Sequence, residues 1–418
     1  MPTLKPTDKP TGRNPLLVAF VTIFLDLLGF GIIIPIQPFF AESFGATATV
    51  ITLLSATYSL MQFIFAPFWG RLSDRVGRRP IILMSVAIGT VGHFIFASAS
   101  SLAPLFIARA IAGFGTANLG TAQAIIADST APEDRAKGMG IIGAAFGLGF
   151  IFGPALGALL SQIDPTTPLY AAGLLGIGNF ILAWFLLPET LQKSEGPAPV
   201  KPPFWAQFSE ARQRPNVSVI LLITLVSTTA FAQMEQSIAL FIEHTWVVDP
   251  QLSVAARIAE AATLTGVFLC LVGLTAAIIQ GGLIGTLTAR FGEVRLIQVG
   301  LVILVGSLAA IPMAGDTGQF IYLACLAPVM ASGTGILMPS RSSLLSRSVP
   351  SSSQGAVMGM NQSAAALGRV IGPAAAGVIY EMGKGLPFYA GAILMVVGVL
   401  LSWRLLPTTE TEAISPPD

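Results

Sequence analysis

Charge is what this sequence has least of. Only 10% of its 418 residues are Asp, Glu, Lys or Arg, against roughly 25% in soluble globular domains. The formal net charge of +1 supplies no basic field that would draw in nucleic acid. The two cysteines, Cys270 and Cys325, lie inside apolar runs with no second Cys or His at ligand spacing. His93 and His244 are too few and too scattered for a metal site. No polar segment carries a phosphate loop, a paired ligand set or a nucleophile beside a base, which argues against an enzyme. The opening residues, "MPTLKPTDKPTGRNP", lack a short apolar core with a small-residue cleavage site, so they do not read as a cleavable leader.

What is present is apolar length. Hydrophobic residues make up 53% of the chain and the mean hydropathy is +0.77. A hydrocarbon core of about 30 Å needs roughly 20 residues of helix to cross it. Twelve such runs occur, near 15–39, 48–69, 81–100, 102–127, 138–162, 169–188, 216–242, 261–285, 296–314, 319–340, 355–380 and 387–406. Short alternating segments are lacking, which points to an all-α membrane protein rather than a barrel. With both termini on one side, eighteen basic residues fall on that side and only Arg257 and Lys384 on the other. Such asymmetry predicts cytoplasmic termini. The remaining two, Arg109 and Arg369, fall within spans.

The predicted organisation is a cytoplasmic tail (1–14), a six-helix half (15–188), a cytoplasmic linker (189–215), a second six-helix half (216–407) and a second cytoplasmic tail (408–418). Within the linker, "PFWAQFSEARQR" reads either as an interfacial helix anchored by Trp205 or as plain connection. The halves are copies. Gly140, Gly149, Gly153 and Pro154 return 219 residues later as Gly359, Gly368, Gly372 and Pro373. The turn "GRLSDRVGRRP" (70–80) returns 215 residues on as "GTLTARFGEVR" (285–295). Repeats of this kind place a site at their interface and let the halves rock about it.

These motifs carry a resemblance. "GRLSDRVGRRP" resembles the loop 2–3 motif of the major facilitator superfamily, and "LFIARAIAGFG" (105–115) its fourth-span arginine motif. "GLGFIFGPALGA" (147–158) resembles the fifth-span antiporter motif, with Ala158 where a second glycine is common. "FLDLLGFGIIIPIQPFF" (24–40) and "IADSTAPEDRAKGMG" (126–140) resemble tetracycline-type drug:proton antiporters. Such pumps carry acidic residues in spans 3 and 9. Here span 3 reads "TVGHFIF" with Gly92 and His93, and span 9 has no acid. The resemblance implies proton-coupled export of small amphipathic compounds, leaving the compound open. The competing reading is a symporter or facilitator for a metabolite such as a sugar or organic acid.

Site expectations follow. In the 70–80 turn, Gly70 and Gly77 allow close helix reversal, Asp74 pairs with an arginine or a helix terminus, and Arg75, Arg78 and Arg79 reach for Asp128. By resemblance this cluster, with Arg135, is a cytoplasmic gate; topology alone also explains the arginines. The small-residue array Gly149, Gly153, Pro154 and Gly157, with Gly140 before it, reads as a hinge or as packing, and the copy in span 11 suggests a contact between halves. Ionisable groups inside a span are functional candidates. Asp26, mid-depth in span 1, reads as the proton exchanger or as a fixed structural partner. Arg109 tunes it or sits in a static ion pair, and Glu235 between Gln233 and Gln236 is a second proton or substrate contact. Arg369 is expected to pair with Asp26 or Glu235. His93 titrates or is structural, and Phe30, Gln37 and Gln62 are cavity candidates. No cofactor is expected, the proton gradient being the energy source. The expected partners are the bilayer, protons and a small substrate, the expected form a monomer, and the expected location a bacterial inner membrane.

Overall fold

The computed structural model describes residues 15–130, 135–191, 215–349 and 351–406. The expected tails, Trp205 and most of the linker fall outside this set, as does the side chain of Arg135. Every described element is helical. In a membrane no water meets exposed N–H and C=O groups, so a spanning segment must satisfy its backbone internally.

The first series comprises α1 (Pro15–Ile33), α2 (Gln37–Glu42), α3 (Ala48–Val76), α4 (Arg78–Ala97), α5 (Leu102–Gly115), α6 (Leu119–Ser129), α7 (Arg135–Ser161) and α8 (Thr167–Leu186). The second comprises α9 (Pro215–Trp246), α10 (Val254–Ile278), a π-helical turn (Ile279–Leu283), α11 (Ile284–Phe291), α12 (Glu293–Asp316), α13 (Phe320–Arg347), α14 (Ser351–Met382) and α15 (Leu386–Ser402). Ten helical stretches are long and apolar enough to cross a membrane, and two shorter apolar ones are Gly147–Ser161 and Leu386–Ser402. Their outward faces carry Leu159, Phe185, Ile393 and Trp403, all exposed as a lipid-facing surface requires.

Three runs depart from their expected form. The run 15–39 stops at Ile33 and restarts as α2, with Pro35 in the intervening turn and Pro38 in the first turn of α2. The run 102–127 breaks at Thr116–Asn118 between α5 and α6. The run 261–285 belongs to a longer stretch, Val254–Phe291, that includes the π turn. Arg341, expected in a loop, is instead 4% exposed inside α13, where it donates to Ser227 Oγ at 2.8 Å.

Helices α1 and α7 pack together, as do α9 and α14, and the two series meet where α7 packs on α10 and α3 on α14. The polar contacts between the series lie at the end opposite the arginine-rich turns, here called the far end. There Gln162 Nε2 donates to Thr263 Oγ1 (2.8 Å), and the Thr49 amide donates to Glu381 Oε1 (3.0 Å). At the arginine-rich end, Gly70, Gly281, Gly282, Gly285 and Gly359 face open space.

Candidate functional site: the wall between the halves and the arginine-rich turn

The α5–α6 break explains how a charged group is accommodated in α1. Asn118, freed from regular helix, lies within hydrogen-bonding reach of the half-buried Asp26 carboxylate and donates to Ser85 Oγ at 2.5 Å. Thr116, at the same break, has its Oγ1 2.8 Å from the Tyr58 hydroxyl. Gln62 Nε2 is 3.1 Å from both hydroxyls. Phe30 stacks on Tyr58 with ring centroids 5.2 Å apart. Tyr58 is therefore the hub of this wall, close enough to Asp26, Arg109 and Arg369 to feel all three charges. The sequence reading passed over it; the only signal was its rarity, as one of five tyrosines.

Arg109 makes no ion pair with a carboxylate among the described residues. Its guanidinium instead sits 4.6 Å from the centroid of Phe96 and 5.8 Å from that of Tyr58. Aromatic faces attract a cation electrostatically, and more so where water is excluded. Of the two readings of Arg109, the static ion pair is thus replaced by a ring cage, and Arg109 Nε has no partner. His93 is buried on α4 within range of the Arg109 charge and packs toward Gly29.

In the second series, Glu235 is half-buried on α9 and interacts electrostatically with Arg369 on α14. Arg369 is exposed and acts also on Tyr58 across the halves. Of the two expected partners, Arg369 favours Glu235. Gln233 is buried with Oε1 unpartnered, and Gln236 is half-buried beside Glu235. Gln37 is buried and donates to Ser55 Oγ at 2.7 Å, which ties α2 to α3. Two carboxylates, two guanidiniums and a stacked aromatic pair thus line the region between the series.

The glycine array faces a different neighbour from the one expected. A side chain begun at Gly153 would strike Gly31 Cα at 2.6 Å, and one at Gly149 would meet Leu27 Cβ at 2.8 Å. Gly157 abuts Ile32 and Pro35. The glycines therefore seat α7 on α1 of the same series, where the backbones come closest. The contact with the other series includes Pro154 and Ala158 against Gly266 of α10 and Ile151 against Gly273 of the same helix. The copy behaves alike: Gly368 and Gly372 seat α14 on α9, near Thr229 and Ala232. Pro373 lies inside α14 and Gly140 inside α7.

At the arginine-rich turn, Gly77 ends α3 and opens α4 with φ +121° and ψ 156°, a conformation essentially restricted to glycine. Arg78, 8% exposed, binds Asp74 Oδ1 (2.6 Å), Asp128 Oδ2 (3.2 Å) and Ser73 Oγ (2.7 Å). Arg79 donates instead to the Trp184 carbonyl at 2.7 Å, and Arg75 is exposed. Glu189, which the sequence reading did not single out, accepts from the amides of Arg78 (2.9 Å) and Arg79 (3.2 Å). A carboxylate there satisfies orphan donors and meets the positive end of the α4 dipole. The cluster ties α3, α4, α6 and the end of α8 together within one series.

The Major Facilitator Superfamily model matches residues 19–340 and 283–418. The class C tetracycline resistance protein of Escherichia coli is 32% identical over 403 residues, covering 92% of this chain and 95% of its own. Multidrug resistance protein 1 of Bacillus subtilis (strain 168) is 26% identical, covering 93% and 94%. The crystal structure of the human organic anion transporter MFSD10 (TETRAN) is 25% identical with a TM-score of 0.69, covering 94% of this chain and all of its own. That of the nucleoside transporter NupG, 14% identical with a TM-score of 0.71, shares the fold. An integral membrane bundle with a charged wall between two repeated helix series, matched along nearly its whole length, belongs to the major facilitator superfamily of transporters.

Proposed function

We propose that this protein exports small amphipathic compounds from a bacterial cytoplasm by alternating access, in exchange for inward-moving protons. The arginine-rich end is cytoplasmic in this reading, as the positive-inside rule requires. The observation that carries it is Asp26: an acid in the middle of α1, half-buried between the series and met by Asn118. A carboxyl in such a place costs free energy in its charged form and is discharged by a proton or an approaching cation. An arrangement parted at the arginine-rich end would admit substrate from the cytoplasm or inner leaflet. After rocking, Asp26, with Glu235, would take a proton from outside and carry it in. In the opposite arrangement the Asp74–Arg78–Asp128 cluster would help latch the cytoplasmic end. ATP has no role.

Arg369, exposed beside Tyr58, favours a second reading in which the transported compound is an organic anion. One assay separates the two. Everted vesicles with an acidic lumen are monitored by a pH-sensitive dye while amphipathic cations, neutral drugs, organic acids and sugars are added. Export by antiport predicts that at least one amphipathic compound dissipates the gradient in wild type and that Asp26→Asn lowers this signal at least about tenfold, as loss of a proton-transfer group does. A gradient untouched by every drug, with an organic acid moving without proton countertransport, would replace the export reading with the facilitator one.

A further inference from the structure

The far end holds a group of side chains that the transport reading does not use. Glu42 ends α2 in the first series, while Glu243 and His244 lie in the last turn of α9 in the second. One carboxylate oxygen of each glutamate and a ring nitrogen of His244 lie within 4.8 Å of one another. The two glutamates are within hydrogen-bonding range of each other. Two carboxylates at contact repel unless a cation or a shared proton stands between them.

Three further details point to a metal ion as that cation. Glu243 is 3% exposed; its Oε1 forms an ion pair with Arg257 Nε at 3.0 Å, while its Oε2 is buried with no hydrogen-bond donor to satisfy it. A buried, unpartnered carboxylate oxygen is costly and calls for a ligand. His244 Nδ1 is held by the Tyr380 hydroxyl at 2.9 Å, which leaves Nε2 facing Glu42. Fixing one ring nitrogen so that the other is presented is how proteins orient metal-ligating histidines. Last, Nε2 stands 3.4 Å from Glu42 Oε1. Two ligands at about 2.0–2.1 Å on one tetrahedral ion lie roughly 3.3 Å apart. Lys384 is also near, but it donates to the His244 carbonyl at 3.1 Å rather than to the side chains.

We propose that Glu42, Glu243 and His244 bind a divalent transition cation of the Zn²⁺ type, which clasps the two helix series together at the far end. One imidazole and two carboxylates suit zinc, whereas Mg²⁺ and Ca²⁺ favour all-oxygen shells. His244 and the glutamates are unremarkable in sequence because Glu42 lies on the other half of the chain; folding alone assembles the site.

The test is zinc binding by the full-length protein in lipid nanodiscs, in competition with a fluorescent zinc chelator, with Mg²⁺ as control. Wild type is expected to take up one zinc per chain and to ignore Mg²⁺. Glu42→Gln and His244→Ala should each weaken binding by at least about tenfold. Gln162→Ala, at another far-end contact, should bind as wild type does. Metal-free melting curves establish that each variant is folded. X-ray absorption of zinc-loaded wild type supplies a reading free of any variant, with an oxygen and nitrogen shell containing one imidazole expected. Absence of zinc uptake, undiminished binding in both triad variants, or a sulfur shell from Cys270 or Cys325 would overturn the proposal.

Discussion

The turns at 70–80 and 285–295 are copies in sequence whose ion pairs run with opposite polarity. Gly77 and Gly292 both join consecutive helices in a glycine-only conformation, at φ +121° and +73°. Beyond them the copies part. Arg78 corresponds to Glu293, and Asp74 to Ala289. Arg78 pairs with Asp128 at 3.2 Å; Glu293 pairs at 3.0 Å with Arg347, which lies 219 residues after Asp128. The bridge is kept and its polarity reversed. Duplication therefore preserved the backbone requirement and the pairing, while the sign of each partner was free to exchange. A Coulomb pair has the same energy either way round, whereas a positive φ has no substitute among L side chains.

The burial of the two bridges differs, and this sets the largest expected effect. Arg78 is enclosed and serves three acceptors, whereas the Arg347 side chain in the second bridge is 45% exposed. Arg78→Ala should cost about 2–3 kcal/mol by leaving carboxylates without their cation, and Glu293→Ala about 1 kcal/mol or less. Thermal unfolding of the purified proteins measures both; equal losses would break the comparison. It is sharpened by building the second turn's polarity into the first. Arg78→Glu combined with Asp128→Arg and Asp74→Ala should melt higher than Arg78→Glu alone.

The glycines come next. Gly77→Ala should cost about 2–3 kcal/mol, because the new methyl group would both force the backbone and run into the Glu189 carboxylate that caps α4. Gly292→Ala meets open space and should cost about 1–2 kcal/mol, from backbone strain alone. The same melting experiment ranks them, and the reverse order would show that Glu189 is no cap. The smallest effect is expected at Arg75 and its copy Arg290, both exposed. Replacing either by Ala should shift stability by no more than about 0.5 kcal/mol.

The two series also show how far a repeated pattern can be read. The spacing of Gly149, Gly153 and Pro154 with Gly368, Gly372 and Pro373 announced close helix contacts in both halves. It could not say with which helix, since a small residue marks a near approach and carries no label for its partner. Only packing showed that the glycines face α1 and α9, while Pro154 and Ala158 meet α10. Asp26 and Arg109 were conspicuous as charges in apolar runs. Their partners were not, because Asn118 gains its reach from a helix break, and Phe96 and Tyr58 look like any other core aromatics.

By itself the sequence determined the helical membrane class, the repeat, the glycine-allowed helix reversal at Gly77 and its copy at Gly292, and the charged positions within spans. Each follows from local chemistry: apolar length, a fixed displacement, or the cost of placing a charge in hydrocarbon. Tertiary structure decided the rest. It drew Arg341 into the bundle, made Tyr58 a hub, gave Arg109 an aromatic cage, and brought Glu42 against Glu243 and His244. These contacts join residues far apart in the chain, and their energies depend on distances that no run of residues records.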